Sequence, residues 1–261
     1  MLRLMERRRL VVGNWKMELS YKGQVELARS LKKSLPSVSM AGMEVVVCPS
    51  YSVLAEVKEV LKGSGVFLGA QHVHWEERGA WTGEVSVTQI APLVQWCIIG
   101  HSEQRSLSGV TDEQVQSSAS ILLQHGLVPI VCLGETVEER AADRTVEKIT
   151  TQMNVLLRRA TRAALAKLVV AYEPMWAIGT GVMPDPTDAA SVMLLIRKLV
   201  AGRFGSDAAE RMRVIYGGSV TPDTIAPYVA EPGVDGVLVG GASVQPLRFV
   251  EIVKVVRNAS G

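Results

Sequence analysis

Short apolar runs recur along the whole chain: Leu10–Val12, Val45–Cys48, Val66–Leu68, Trp96–Ile99, Leu127–Leu133, Leu168–Tyr172, Val214–Tyr216 and Val237–Val239. Most are rich in Val and Ile and lack polar alternation, the pattern of parallel strands buried on both faces. Helical patterns lie between them. Tyr21, Val25, Ala28 and Leu35 share one face of Ser20–Leu35, and Val192, Leu195, Ile196 and Leu199 mark a second stripe. Thr111-Asp-Glu-Gln114 has the form of a capping box, and Asp185-Pro186 puts a capping carboxylate before a proline at the first helical position. Strand then helix, repeated eight times without a long polar linker, predicts an α/β protein closed into a single (β/α)8 barrel domain spanning residues 1–261. A doubly wound dinucleotide-binding sheet is the weaker reading, because the first run leads into Gly13-Asn-Trp-Lys16 and no GxGxxG opens the first helix.

Length alone is ambiguous. At one domain per ~150 residues, 261 residues fall between one domain and two, and a barrel of ~250 residues removes the conflict. A hydrophobic fraction of 48% with 21% charged residues excludes disorder and a disulfide scaffold. With 28 Lys and Arg against 26 Asp and Glu, the net charge of +2 offers no attraction for nucleic acid or an anionic membrane. Cys48, Cys97 and Cys132 sit inside apolar runs without the close spacing of a metal knuckle, and read as reduced core residues. The basic start, Met1 to Arg9, is followed by only Leu10-Val-Val12, too little for a signal core, and no segment offers ~18 apolar residues for a membrane span. The expected location is the cytoplasm.

In such barrels, reactive groups belong at the C-terminal ends of the strands. After the first run comes Asn14-Trp15-Lys16, where a cation can hold an anionic substrate. The fourth run leads into Gly100-His101-Ser102-Glu103, a histidine at a helix start, where the positive end of the helix disfavours added charge on the imidazole and suits it to donate a hydrogen bond while neutral. His72, His74 and His125 have no comparable setting and are assigned no role. The sixth run ends at Glu173, a carboxylate beside apolar residues, where desolvation raises basicity and suits it to act as a base. The segment that follows, Pro174 to Gly181, is apolar and flanked by Pro and Gly, as a mobile lid would be. Tyr216-Gly-Gly-Ser219 and Gly240-Gly-Ala-Ser243 close the seventh and eighth runs, where main-chain N–H groups can approach a phosphate.

Asn14-Trp-Lys-Met17, Gly100-His-Ser-Glu103, Ala171-Tyr-Glu-Pro-Met-Trp-Ala-Ile-Gly-Thr-Gly181, Tyr216-Gly-Gly-Ser219 and Gly236-Val-Leu-Val-Gly-Gly-Ala-Ser243 together closely resemble the triosephosphate isomerase family. The match runs from about Leu10 to the last helix, and the lid motif is its most specific part. The resemblance implies a TIM barrel that interconverts dihydroxyacetone phosphate and D-glyceraldehyde 3-phosphate through an enediolate, in glycolysis and gluconeogenesis, with no metal or organic cofactor. It assigns Glu173 as the base, neutral His101 as the electrophile, and Lys16, with Asn14 beside it, as the substrate's anchor. Gly179, Ser219, Gly240 and Gly241 would hold the phosphate. It also implies a homodimer formed through the loop Gln71 to Glu84, with Thr82 near the other subunit's site.

Two departures from the family pattern stand out. Gln104 occupies a position where the family usually has Arg, which would weaken a subunit contact or an ion pair behind the site. Val182-Met183-Pro184 replaces a small flexible hinge, and proline fixes one backbone angle there. Another phosphate-binding barrel enzyme, such as an aldolase, would need a Schiff-base lysine or a second acid/base, and would leave the lid motif unexplained. A non-catalytic barrel would be favoured by loss of Lys16, His101 or Glu173, and all three are present.

Overall fold

The computed structural model describes residues 7–35, 38, 41–178 and 183–259. Eight strands form a closed, wholly parallel barrel in chain order: β1 (Arg9–Asn14), β2 (Met43–Cys48), β3 (Val66–Ala70), β4 (Trp96–Ile99), β5 (Val128–Leu133), β6 (Val169–Tyr172), β7 (Arg213–Tyr216) and β8 (Gly236–Val239). β1 closes the ring against β8, with Val11 opposite Val237. Every predicted strand is present, within one or two residues of its apolar run.

The absence of polar alternation has a direct cause. Residues on one pleat face, among them Leu10, Val12, Val46, Ile98, Ile130 and Leu238, fill the barrel interior. Those on the other face, such as Val11, Val45, Ile99 and Val170, pack with the helix side chains outside. Both faces are dry, so each position favours an apolar side chain, and burying one Val, Leu or Ile contributes about 1.5–3 kcal/mol. Gly236 opens β8 with φ +152°, and a Cβ there would lie 1.8 Å from the Leu10 carbonyl oxygen, so the closing seam of the barrel requires glycine.

The helix signals are obeyed. Ser20 caps Tyr21–Ser34 by accepting from the Gly23 N–H. Thr111 and Gln114 form the reciprocal capping box of Asp112–Gln124. Asp185 caps Pro186–Phe204, with Pro186 in its first turn. Tyr21 differs from expectation. It is exposed, because its phenol donates to the Glu56 carboxylate at 2.6 Å instead of entering the core. The three cysteines are free and buried, as their runs suggested.

Candidate active site

The C-terminal ends of β1, β4, β6, β7 and β8 bring together the residues singled out by sequence. Asn14 is the last residue of β1 and is buried; its Oδ1 accepts from the Lys16 N–H at 3.1 Å, while its carbonyl accepts from Ser243 Oγ at 3.0 Å. Between them Trp15 is fully buried and anchors the turn. Lys16 has a left-handed backbone, φ +48°, and its Nζ lies 2.6 Å from Glu103 Oε1. Its Cε would lie 3.7 Å from a Cβ on Gly240, so the lysine borders the loop after β8.

His101 precedes the helix Ser102–Ser108, and its Nδ1 accepts from the Glu103 backbone N–H at 3.2 Å. An amide can only donate, so this contact uses Nδ1 as an acceptor and leaves Nε2 as the ring's donor. That Nε2 lies 3.4 Å from Glu173 Oε1. Glu173 follows β6 and is only 2% exposed; its Oε2 accepts from the Ser102 N–H at 2.9 Å, whereas Oε1 has no hydrogen-bond partner among the described residues. A buried carboxylate oxygen left without an N–H or O–H donor is unusual, since desolvation of such a group is costly. Here it leaves one basic oxygen ready to take a proton, next to a ring that can donate one.

Cys132 of β5 adjoins this carboxylate. Burial first, and the Glu173 charge next, hold its thiol well above the usual range, so it stays a neutral S–H.

Gly217 supplies room for the base. A Cβ at this position would lie 2.8 Å from Glu173 Cγ and 3.3 Å from the Tyr172 carbonyl oxygen. Gly217→Ala is expected to push the carboxylate aside and lower kcat at least about tenfold, because misplacement by ~1 Å can cost a hundredfold. Steady-state kinetics beside thermal unfolding would separate this displacement from a loss of fold.

Ser219, after β7, donates from Oγ to the Ala177 carbonyl at 2.9 Å, which links the loop after β7 to the base of the lid segment. Gly240 and Gly241 lie at the end of β8, and nothing stands within 4 Å of a Cβ on Gly241. Gly179, expected at the phosphate, lies outside the described residues. All other sequence-predicted site residues therefore fall at one end of one barrel.

Some members of this arrangement carried weak signals or none. Glu103 was legible only as part of Gly100-His-Ser-Glu103, and its pairing with Lys16 was not. Glu135, fully buried, accepts from Tyr172 Oη at 3.1 Å and from Trp176 Nε1 at 2.8 Å, tying the segment after Glu173 to the loop after β5. No local pattern marked it. Arg105 donates to the Gly100 and Cys132 carbonyls and to Asp112, so an ion pair behind the site exists beside Gln104. Among the described residues no group of three or more His, Cys, Asp or Glu side chains is gathered as metal ligands would be.

The loop Gln71 to Glu84 is organised by aromatic packing. His74, given no role by sequence, is buried, with its ring centroid 4.0 Å from that of Trp75 and 4.6 Å from that of Trp81. Trp75 is half-buried, whereas Trp81 and Thr82 are exposed. Met17, next to Lys16 in the chain, is 94% exposed.

The family model described as triosephosphate isomerase matches residues 9–256. A triosephosphate isomerase of Caldanaerobacter subterraneus subsp. tengcongensis is 43% identical over 248 residues, 95% of this chain and 99% of that protein. One from Clostridium novyi is 42% identical over 248 residues, 95% of this chain and 98% of its own length. One from Symbiobacterium thermophilum is 44% identical over 245 residues, covering 93% and 94% of the two chains.

Proposed function

The chain belongs to the triosephosphate isomerase family and interconverts dihydroxyacetone phosphate and D-glyceraldehyde 3-phosphate, a step of glycolysis, and from that premise we propose the part each residue plays. The reading rests on one observation: a buried carboxylate oxygen of Glu173 that receives no N–H or O–H hydrogen bond among the described residues, 3.4 Å from His101 Nε2. Glu173 takes a proton from the substrate carbon beside the carbonyl. The C–H electron pair becomes the enediolate double bond, and charge moves onto the carbonyl oxygen. His101 Nε2–H stabilises that oxygen and relays its proton between the two oxygens. The protonated Glu173 then returns its proton to the neighbouring carbon, and atoms and charge balance.

Lys16 supplies a fixed positive charge for the anionic substrate, with Asn14 holding its turn. The main chain of Gly179, Ser219, Gly240 and Gly241 binds the phosphate. Closure of the lid keeps water from the enediolate, which otherwise loses phosphate readily. Purified protein incubated with D-glyceraldehyde 3-phosphate should form dihydroxyacetone phosphate, and folded protein without turnover would defeat the assignment.

The same proposal takes the barrel as the chain's single domain and the working molecule as a homodimer. Exposed Trp81 and Met17 support a partner over the loop Gln71 to Glu84, since large exposed apolar side chains favour burial. Sedimentation is expected to return twice the 28.2 kDa chain mass; a monomer at micromolar concentration would contradict it. No helix among the described residues is long and apolar enough to cross a membrane. A cytoplasmic location is supported by the three buried, unpaired cysteines.

Pro184 sits at the end of the lid segment, where its carbonyl accepts from Tyr228 Oη, and Tyr228 stacks on Tyr216 with centroids 4.4 Å apart. Pro184→Ala is expected to change lid exchange and turnover severalfold by freeing one backbone angle. Relaxation dispersion and kcat measured together test this, and no change in either removes the hinge role.

A further inference from the structure

Lys16 and Asp143 are the non-glycine residues with positive φ among those described, at 48° and 55°. A residue with a Cβ keeps a left-handed backbone only where its surroundings hold it there. At Lys16 the hold is visible. Its carbonyl accepts two hydrogen bonds, from Gln71 Nε2 at 2.9 Å and from Ser50 Oγ at 3.3 Å.

Ser50 is itself gripped. Gln24 Oε1 accepts from the Ser50 N–H at 2.9 Å, and Gln24 Nε2 donates to Ser50 Oγ and to the Leu19 carbonyl, each at 3.1 Å. Turning this amide over would set its oxygen against the Leu19 carbonyl, so its partners define its orientation. Ser50 Oγ already accepts a hydrogen bond from Gln24 Nε2, which leaves its own O–H to donate to the Lys16 carbonyl. Gln24 is only 3% exposed although it lies in the first helix, Tyr21–Ser34. A buried glutamine is poorly explained by core packing alone, and all the bonds named here run toward the lysine turn or its flank.

We propose that Gln24 and Ser50 are positioning residues that hold the Lys16 backbone in its left-handed form, and so set where its ammonium meets the substrate's negative charge. The proposal rests on the reading of Lys16 as the substrate anchor. Neither residue touches the reacting atoms. Loosening the turn spreads Nζ over more positions and weakens its grip on ground state and transition state alike. Such uniform loss raises KM more than it lowers kcat.

Ser50→Ala and Gln24→Met, each compared with Ser50→Thr and Lys16→Met, test it. The first two are expected to raise KM about two- to tenfold, the worth of one hydrogen bond, with kcat within about twofold of wild type. The inhibition constant of inorganic phosphate should rise in parallel. Ser50→Thr, which keeps the hydroxyl, should restore both. If Lys16→Met leaves KM unchanged, the anchor reading and the proposal fall together. If Lys16→Met raises KM but folded Ser50→Ala and Gln24→Met do not, the proposal alone is overturned. A lower Tm with unchanged KM also overturns it, because the pair then serves only stability. Should Ser50→Ala not fold, Gln24→Met decides, since it keeps the serine and removes its support.

Discussion

Glu173→Asp is expected to retain no more than about one hundredth of the wild-type kcat in a protein that still folds. The shorter side chain keeps the charge but draws the carboxylate back by one carbon–carbon bond from the position that Glu173 Oε1 occupies, 3.4 Å from His101 Nε2. Proton transfer tolerates such a displacement poorly, and ~1 Å of misplacement can cost a hundredfold. Glu173→Gln removes the base itself and should lose about 10²–10⁴-fold. The fold should survive both changes, because the backbone of Glu173 still donates to the Leu133 carbonyl at 2.8 Å. Kinetics in both directions, with thermal unfolding as a check, measure the outcome. An aspartate variant with unchanged kcat would take Glu173 out of the reaction.

His101→Gln is the second large effect. The glutamine amide can donate, but from a flexible chain and not from the point where the imidazole fixes Nε2–H. The ring is oriented by the Glu103 N–H on Nδ1, and that bond is lost with it. Removing one aligned donor to a developing oxyanion typically costs about 10²–10³-fold in kcat, and a loss of about a hundredfold is expected here. Loss of the side-chain cap on the helix Ser102–Ser108 should lower stability by about 1 kcal/mol. The two consequences are separable by measuring kcat well below the unfolding transition. Turnover within threefold of wild type would show that another group polarises the carbonyl.

Both predictions concern residues whose positions were legible before their contacts were. Glu173 and His101 each stood just after an apolar run, where a barrel places its chemistry, and the surrounding motifs carried their roles by resemblance. The support around them was not legible. Glu135 follows β5 without any pattern to mark it, yet it is buried and bonded to both Tyr172 and Trp176. Gln24 interrupts an apolar stripe and reads locally as an ordinary polar helix residue. Its purpose appears only once Ser50 is seen against it. His74, set aside as a lone histidine, proved to be the buried ring between Trp75 and Trp81.

By itself the sequence determined what depends on neighbours along the chain. Apolar runs without alternation specified strands dry on both faces, and cap residues placed helix starts at Thr111 and Asp185, because backbone hydrogen bonding and side-chain periodicity act over a few residues. Tertiary structure alone decided which oxygen of Glu173 is tied to the Ser102 N–H, 71 positions earlier in the chain, and which faces His101. It also decided that Lys16 pairs with Glu103 and leans on Ser50 and Gln71. These contacts depend on closure of the barrel at β1 and β8 and on the angle at which each strand delivers its last side chain. Such geometry is a property of the packed ring and leaves no periodic trace in the order of residues.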